Sequence, residues 1–229
     1  MWLELISIFR KGDAMETLAD EFREMLQLLQ QMSLIVNGHI FDQTLSLDKR
    51  SQVYKLDIRV NKLERSIRKR VVSHVTLGRD NVPYCLLLMT LVKDAERIGD
   101  YWKNISEVST LGAGTTPEGE LKVELGEIID LAMTLMNDLV PILDASDRER
   151  AEELLQTARL TSKRCDQLLV ELAKSDFRAA ETTAMVLLTR FHKRIIGHSF
   201  NILSSVVMPL HKVVFYDEQF LDGNPSSEG

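Results

Sequence analysis

Apolar residues recur every three or four positions along nearly the whole chain, and no stretch of useful length alternates apolar with polar. The cleanest run is Val53, Leu56, Val60, Leu63, Ile67 and Val71. Such a stripe turns one face of an α-helix toward a neighbour, and its near-heptad period suits helices packed side by side. A strand needs period two and finds no support. Turn formers are scarce: 11 Gly and 5 Pro among 229 residues, well under the usual share. Strong helical periodicity and few turns together predict an all-α chain of a few long helices.

Punctuation divides the chain. Residues 1–12, with Trp2, Leu5, Ile6 and Phe9 on one side, read as a short N-terminal amphipathic helix. Met15, Leu18, Phe22, Met25, Leu28, Leu29 and Met32 predict a helix over about 13–41, and the Val53 stripe one over about 46–75. Gly78, Asp80, Asn81 and Pro83 mark a turn, with Asp80 or Asn81 capping the third helix and Pro83 in its first turn. Leu111 to Pro117, rich in Gly and Thr, is the clear interior linker. A fourth helix follows over about 118–143, with Pro141 placed to kink or end it. Ser146-Asp147-Arg148-Glu149 has the form of a capping box, Ser146 being the cap of a fifth helix reaching Ser175. A sixth starts with Asp176 as its cap and reaches about His211. Residues 216–229 form a polar tail expected to be flexible.

The third and sixth helices share a signature. Arg97-Ile98 followed by Asn104-Ile105 returns as Arg194-Ile195 followed by Asn201-Ile202, a constant offset of 97. Each signature closes a set of three helices. The expected architecture is therefore two tandem three-helix bundles, 13–111 and 118–215.

Charge and cysteine usage narrow the function. A net charge of −6 argues against a nucleic-acid partner and against tight binding to anionic lipid, leaving at most peripheral membrane association. Cys85 and Cys165 sit within apolar patterns, as core residues of a reduced compartment. No run is apolar enough to span a membrane and the N-terminus lacks a secretory pattern, so a cytoplasmic location is expected. The sequence has no phosphate-binding glycine loop, nucleophile elbow, His-Glu-x-x-His, Glu-x-x-His or Cys-x-x-Cys.

The distinctive chemistry is acidic. Glu96, Asp100 and Glu107 lie on one flank of the third helix. Asp57, Asn61 and Glu64 follow Leu56, Val60 and Leu63, and so lie on the corresponding flank of the second helix. A short turn makes these helices antiparallel neighbours, and reversal brings the two flanks to one groove. Such a row needs positive charge. Arg59, Lys93 and Arg97 supply part of it; a hard cation such as Mg²⁺, Ca²⁺, Mn²⁺ or iron is the other answer. The second repeat carries Lys193, Gly197 and Ser204 opposite Glu96, Asp100 and Glu107, and Ser162, Asp166 and Leu169 opposite Asp57, Asn61 and Glu64. One strong acidic site is expected, not two. Arg65, Arg68, Lys69 and Arg70 cluster late in the second helix, where cations favour the helix C-terminus.

Asp57-x-x-Val60-Asn61-x-Leu63-Glu64, followed by Lys93-Asp94-Ala95-Glu96-Arg97-Ile98-Gly99-Asp100 and Asn104-Ile105-Ser106-Glu107, resembles the PhoU family of phosphate-transport regulatory proteins. The resemblance spans roughly residues 14–212. It implies two three-helix bundles related by a pseudo-twofold, and a non-enzymatic regulator. Such proteins contact the ATPase of a phosphate-specific ABC transporter and a phosphate-sensing histidine kinase; related domains accompany phosphate cotransporters. The resemblance also implies a homodimer and a divalent or trivalent metal ion (Fe, Mn, Zn or Mg) on the first repeat. Glu96 and Asp100 match the family's metal motif, Asp57 and Asn61 match it with an amide in the last place, and Glu64 and Glu107 are extra ligands. Lys193 and Gly197 break the motif in the second repeat, and Tyr101 stands where the family commonly has His. Two other readings compete: a metal-dependent helical-bundle hydrolase or oxygenase using Asp57, Glu96 and Asp100, and an adaptor, unrelated to phosphate, that binds a membrane or partner through residues 2–9.

Overall fold

Where each helix starts and stops is decided by a few short-range bonds. A computed structural model describes residues 13–40, 45–78, 80–108, 110 and 116–208. The N-terminal segment 1–12, most of the glycine linker and the tail from 209 onward lie outside the described residues. Six helices follow in order: α1 (Asp13–Asn37), α2 (Leu47–Thr76), α3 (Val82–Val108), α4 (Glu120–Ala145), α5 (Arg148–Lys174) and α6 (Ala179–Val207). No strand occurs among the described residues. Ser46 caps α2 by accepting from the Lys49 N–H. Asn81 precedes α3 in the left-handed conformation, and its carbonyl accepts from the Cys85 N–H.

Two helix starts differ from expectation. Asp147, not Ser146, caps α5: its carboxylate accepts from the Arg150 N–H at 3.0 Å. Helix α4 continues through Pro141 to Ala145, and Ser146 is used up in ending it, left-handed at φ 52° with its N–H on the carbonyls of the last turn. Helix α6 begins two residues later than expected, at Ala179, with Arg178 and not Asp176 as its cap. Glu181 reaches back to accept from the Arg178 N–H at 3.0 Å, while Phe177 packs partly buried against the core. Asp147→Ala is expected to cost about 1 kcal/mol in denaturant unfolding, and Ser146→Ala much less; the reverse order would restore Ser146 as the cap.

The bundles join in two layers. Helix α3 packs on α2 and α6, α6 packs on α5, and α1 and α4 contact each other behind this row. The front layer therefore reads α2–α3–α6–α5. Early α3 meets late α6: Asp94 accepts from His198 Nδ1 at 2.8 Å and Asn201 Nδ2 at 3.0 Å. Late α3 meets early α6: Tyr101 lies against Phe191 and Trp102 against His192. The central helices thus run antiparallel, and the repeat offset of 97 places the pseudo-twofold beside Ile98 and Ile195, both fully buried. With α1 and α4 together on one side, that axis stands perpendicular to the front layer. The α2/α3 and α5/α6 grooves therefore open on one face. Behind it, Arg23 of α1 clamps Asp144 of α4 through two nitrogens, and Gln30 meets Asn137.

Candidate functional site

At Gly99 three helices come close together. A Cβ there would stand 3.2 Å from Leu29 Cδ2, 3.5 Å from Val60 Cγ1 and 3.8 Å from Asp57 Oδ1. This contact brings the polar side chains of α2 within reach of α3.

The buried face of α2 is Val53, Asp57, Val60, Glu64, Ile67, Val71 and His74, at regular steps of four and three. This corrects the expected arrangement. Asp57 and Glu64 are not on the flank; they hold seam positions and are only 6% and 8% exposed. Leu56 and Leu63, expected in the seam, are half-buried beside it. The cause lies on α3, which offers cations at those two levels.

The acidic rows do converge on one groove, in two groups. Lys103 Nζ donates to Asp57 Oδ2 at 3.0 Å and to Asp100 Oδ1 at 2.9 Å. Asn61 Nδ2 donates to Asp57 Oδ2 at 3.4 Å, and Arg97 approaches Asp100 at 3.5 Å. In the second group, Lys93 Nζ donates to Glu96 at 2.7 Å and stands 4.0 Å from Glu64, which also accepts from Arg68 at 2.8 Å. Glu107 sits apart, accepting from the Tyr54 hydroxyl; that bond pushes the Tyr54 pKa up. Arg59 does not serve the row; it pairs with Glu24 of α1 at 2.7 Å.

Lys103 is the residue that sequence reasoning missed. It was legible in principle: it lies one turn beyond Asp100 on the ridge running from Glu96 to Glu107. Burial pulls its ammonium down, but its hydrogen bonds to Asp100 and Asp57 and their charges outweigh this and hold its pKa above the lysine value. Of the six residues Asp57, Asn61, Glu64, Glu96, Asp100 and Glu107, four carboxylates thus face the chain's own cations, Asn61 serves Asp57 and Glu107 meets a phenol. As placed they do not form one metal-ligand set, and among the described residues no three His, Cys, Asp or Glu side chains gather into one.

Other reactive groups are held quiet. Cys85 and Cys165 are buried free thiols, and burial pushes the Cys165 pKa to about 11, so neither is a thiolate nucleophile. His192 is fully buried, with its Nδ1 2.7 Å from the Leu188 carbonyl. Its ring meets Trp102 edge-on, centroids 5.6 Å apart. In the basic cluster, Arg68 and Arg70 pair with Glu64 and Glu21, while Arg65 and Lys69 are exposed. No described helix is long and apolar enough to cross a membrane.

Residues 22–109 match the family model described as the PhoU domain. The chain superimposes on the crystal structure of PhoU from Pseudomonas aeruginosa with a TM-score of 0.74 and 22% identity, over 85% of this chain and 95% of that one. It superimposes on the phosphate transport system regulatory protein PhoU from Streptococcus pneumoniae with a TM-score of 0.69 and 16% identity, over 84% of this chain and 92% of that one. At these identities the likeness is one of fold. No curated protein sequence matches the chain.

Proposed function

We infer, from the PhoU domain that residues 22–109 form and from the PhoU fold of the whole described chain, that this protein regulates a phosphate transport system as a non-enzymatic adaptor. The observation that carries the reading is the domain match over the repeat that holds the acidic row. The structure adds support of a different kind. Four of the row's carboxylates are held by cations of the same chain, and both thiols are buried, so among the described residues no nucleophile and base stand ready together. What the face offers instead is a rigid four-helix surface, acidic between α2 and α3 and basic between α5 and α6. Complementary charge of that kind steers and registers a protein partner. On this reading the partner is the transporter's ATPase, a phosphate-sensing kinase or a phosphate cotransporter, and the regulator works in the cytoplasm.

A metal enters this reading as a cation that takes the place of the Lys103 ammonium between Asp57 and Asp100. Elemental analysis of tag-free protein, beside Glu96→Ala/Asp100→Ala, tests it: near-stoichiometric metal lost in the variant supports the site, and none after reconstitution removes it. The regulatory reading is tested in cells lacking the chain. Phosphate uptake and phosphate-starvation gene expression should rise in phosphate-replete medium and return to normal on complementation. Unchanged uptake and expression would sink it.

A further inference from the structure

The pseudo-twofold that carries the acidic groove onto the second repeat carries it onto a groove of opposite charge. The groove between α5 and α6 has a volume of about 350 Å³ and is lined by Arg159, Ser162, Arg190, Lys193, Arg194 and His198. The repeat offsets pair these with Tyr54, Asp57, Lys93, Glu96, Arg97 and Tyr101. Two carboxylates have become a hydroxyl and an ammonium, and a phenol has become a guanidinium. The third carboxylate of the row, Asp100, has become Gly197.

Three features show that this is more than a solvated basic surface. First, Arg190 and Arg194 pair with no carboxylate among the described residues; Lys193 has one, the exposed Asp166 at 2.5 Å. On the first repeat the corresponding Arg97 faces Glu96 and Asp100. Second, Gly197 stands inside a helix, where glycine is unfavourable relative to alanine, yet a Cβ there would meet nothing within 4 Å. Packing does not require that glycine; its effect is to leave the groove floor open beside the cations. Third, His198 is fixed. Its Nδ1 is bonded to Asp94 and its ring stacks on Tyr101, centroids 5.8 Å apart. That leaves the Nε2 edge for the groove.

We propose that the α5/α6 groove binds an oxyanion of the phosphate class, held by Arg190, Lys193 and Arg194 with the Ser162 hydroxyl as a neutral partner. Guanidinium groups present paired N–H donors that match the oxygens of a tetrahedral oxyanion, and such charge-assisted bonds are the strong ones. The volume exceeds what a bare phosphate fills, so it also admits a phosphoryl group carried on a small molecule or a lipid headgroup. Asp166 competes with the anion for Lys193.

The test is calorimetric titration of the full chain with inorganic phosphate at fixed ionic strength, with chloride as the control, and sedimentation with phosphatidic acid vesicles. Saturable binding of either probe is expected, weakened about tenfold by Arg190→Ala or by Arg194→Ala. Gly197→Asp, at a position with open space, should abolish it without unfolding the chain, as circular dichroism would show. Asp166→Asn should tighten it. Phosphate binding assigns the groove to the free ion; vesicle binding alone, lost in the same variants, assigns it to a headgroup. Binding of neither probe, or binding that all four variants leave unchanged, overturns the proposal. The readout is on purified protein, so it succeeds or fails independently of any effect on phosphate uptake.

Discussion

Acidification from pH 6.5 to pH 4 should destabilise this protein by up to about 3 kcal/mol through one imidazole, His192. Burial pushes the pKa of its ring down to about 4, against an ordinary 6.5, with only the Leu188 carbonyl opposing. The geometry explains the size. Nδ1–H donates to Leu188 along the same helix, so Nε2 carries the lone pair, and among the described residues it has no hydrogen-bond partner. The ring's other neighbour is the edge of Trp102, itself fully buried. A second proton would place a full charge in the α3/α6 seam. The sign follows directly. Between pH 4 and 6.5 the unfolded chain binds a proton that the folded chain refuses. The contribution is therefore complete above pH 6.5 and is lost as pH falls through 4. Carboxylates titrate in part of the same window, so the measurement is a difference: unfolding free energy against pH for the native chain and for His192→Asn. Asn keeps a donor for Leu188 and cannot charge. The variant should be less stable at pH 7 and should lack most of the slope between pH 6.5 and 4. Equal slopes would show that His192 is not buried neutral. Trp102 gives a second readout in a Trp2→Phe background, because an imidazolium at 5.6 Å would quench it.

His192 also shows what a sequence conceals. Its neighbours on α6 read as an ordinary helix face; only docking α3 against it, antiparallel, turns the site into a closed one. The repeat of Arg-Ile and Asn-Ile at an offset of 97 marks α3 and α6 as equivalent helices, but the docking of one on the other is visible only in the fold. The helices and most of their ends were legible for the same local reasons, Ser46 and its bond to Lys49 being the clearest. The seam of α2 was not. Val53, Leu56, Val60, Leu63 and Val53, Asp57, Val60, Glu64 are equally regular stripes one residue apart, and hydrophobicity alone selects the leucines. The fold selects the carboxylates because Lys103 and Lys93 stand at those levels on α3. Convergence of the acidic rows survives this error, since a seam position faces the neighbouring helix more squarely than a flank does. Ser146 failed for another reason. A residue that ends one helix in the left-handed conformation cannot also cap the next, and sequence spacing does not show where α4 stops.

Removing the cation between the acidic rows should have the next largest effect. Lys103→Ala takes the shared donor from Asp57, whose side chain is 9% exposed, and from Asp100, which is 27% exposed. Arg97 still approaches Asp100 and Asn61 still donates to Asp57, so the loss is partial. An expected cost of about 1–3 kcal/mol at pH 7 follows from leaving a nearly buried carboxylate without its main partner. Part of any loss in alanine is packing of the lysine stem, which Lys103→Met restores. The difference between the two variants isolates that packing, and the deficit left in methionine is the charge. It should largely vanish in Asp57→Asn/Lys103→Met, the neutral pair, whose coupling a double-mutant cycle measures. The same variants bear on the metal. In the native chain a dication must displace an ammonium that already satisfies both carboxylates. In Lys103→Met it meets Asp57 and Asp100 with that ammonium gone. Millimolar Mn²⁺ or Mg²⁺ should then raise the melting temperature of Lys103→Met more than that of the native chain. If both rise equally, the row accepts metal beside Lys103, and the lysine is a neighbour of the site instead of its occupant.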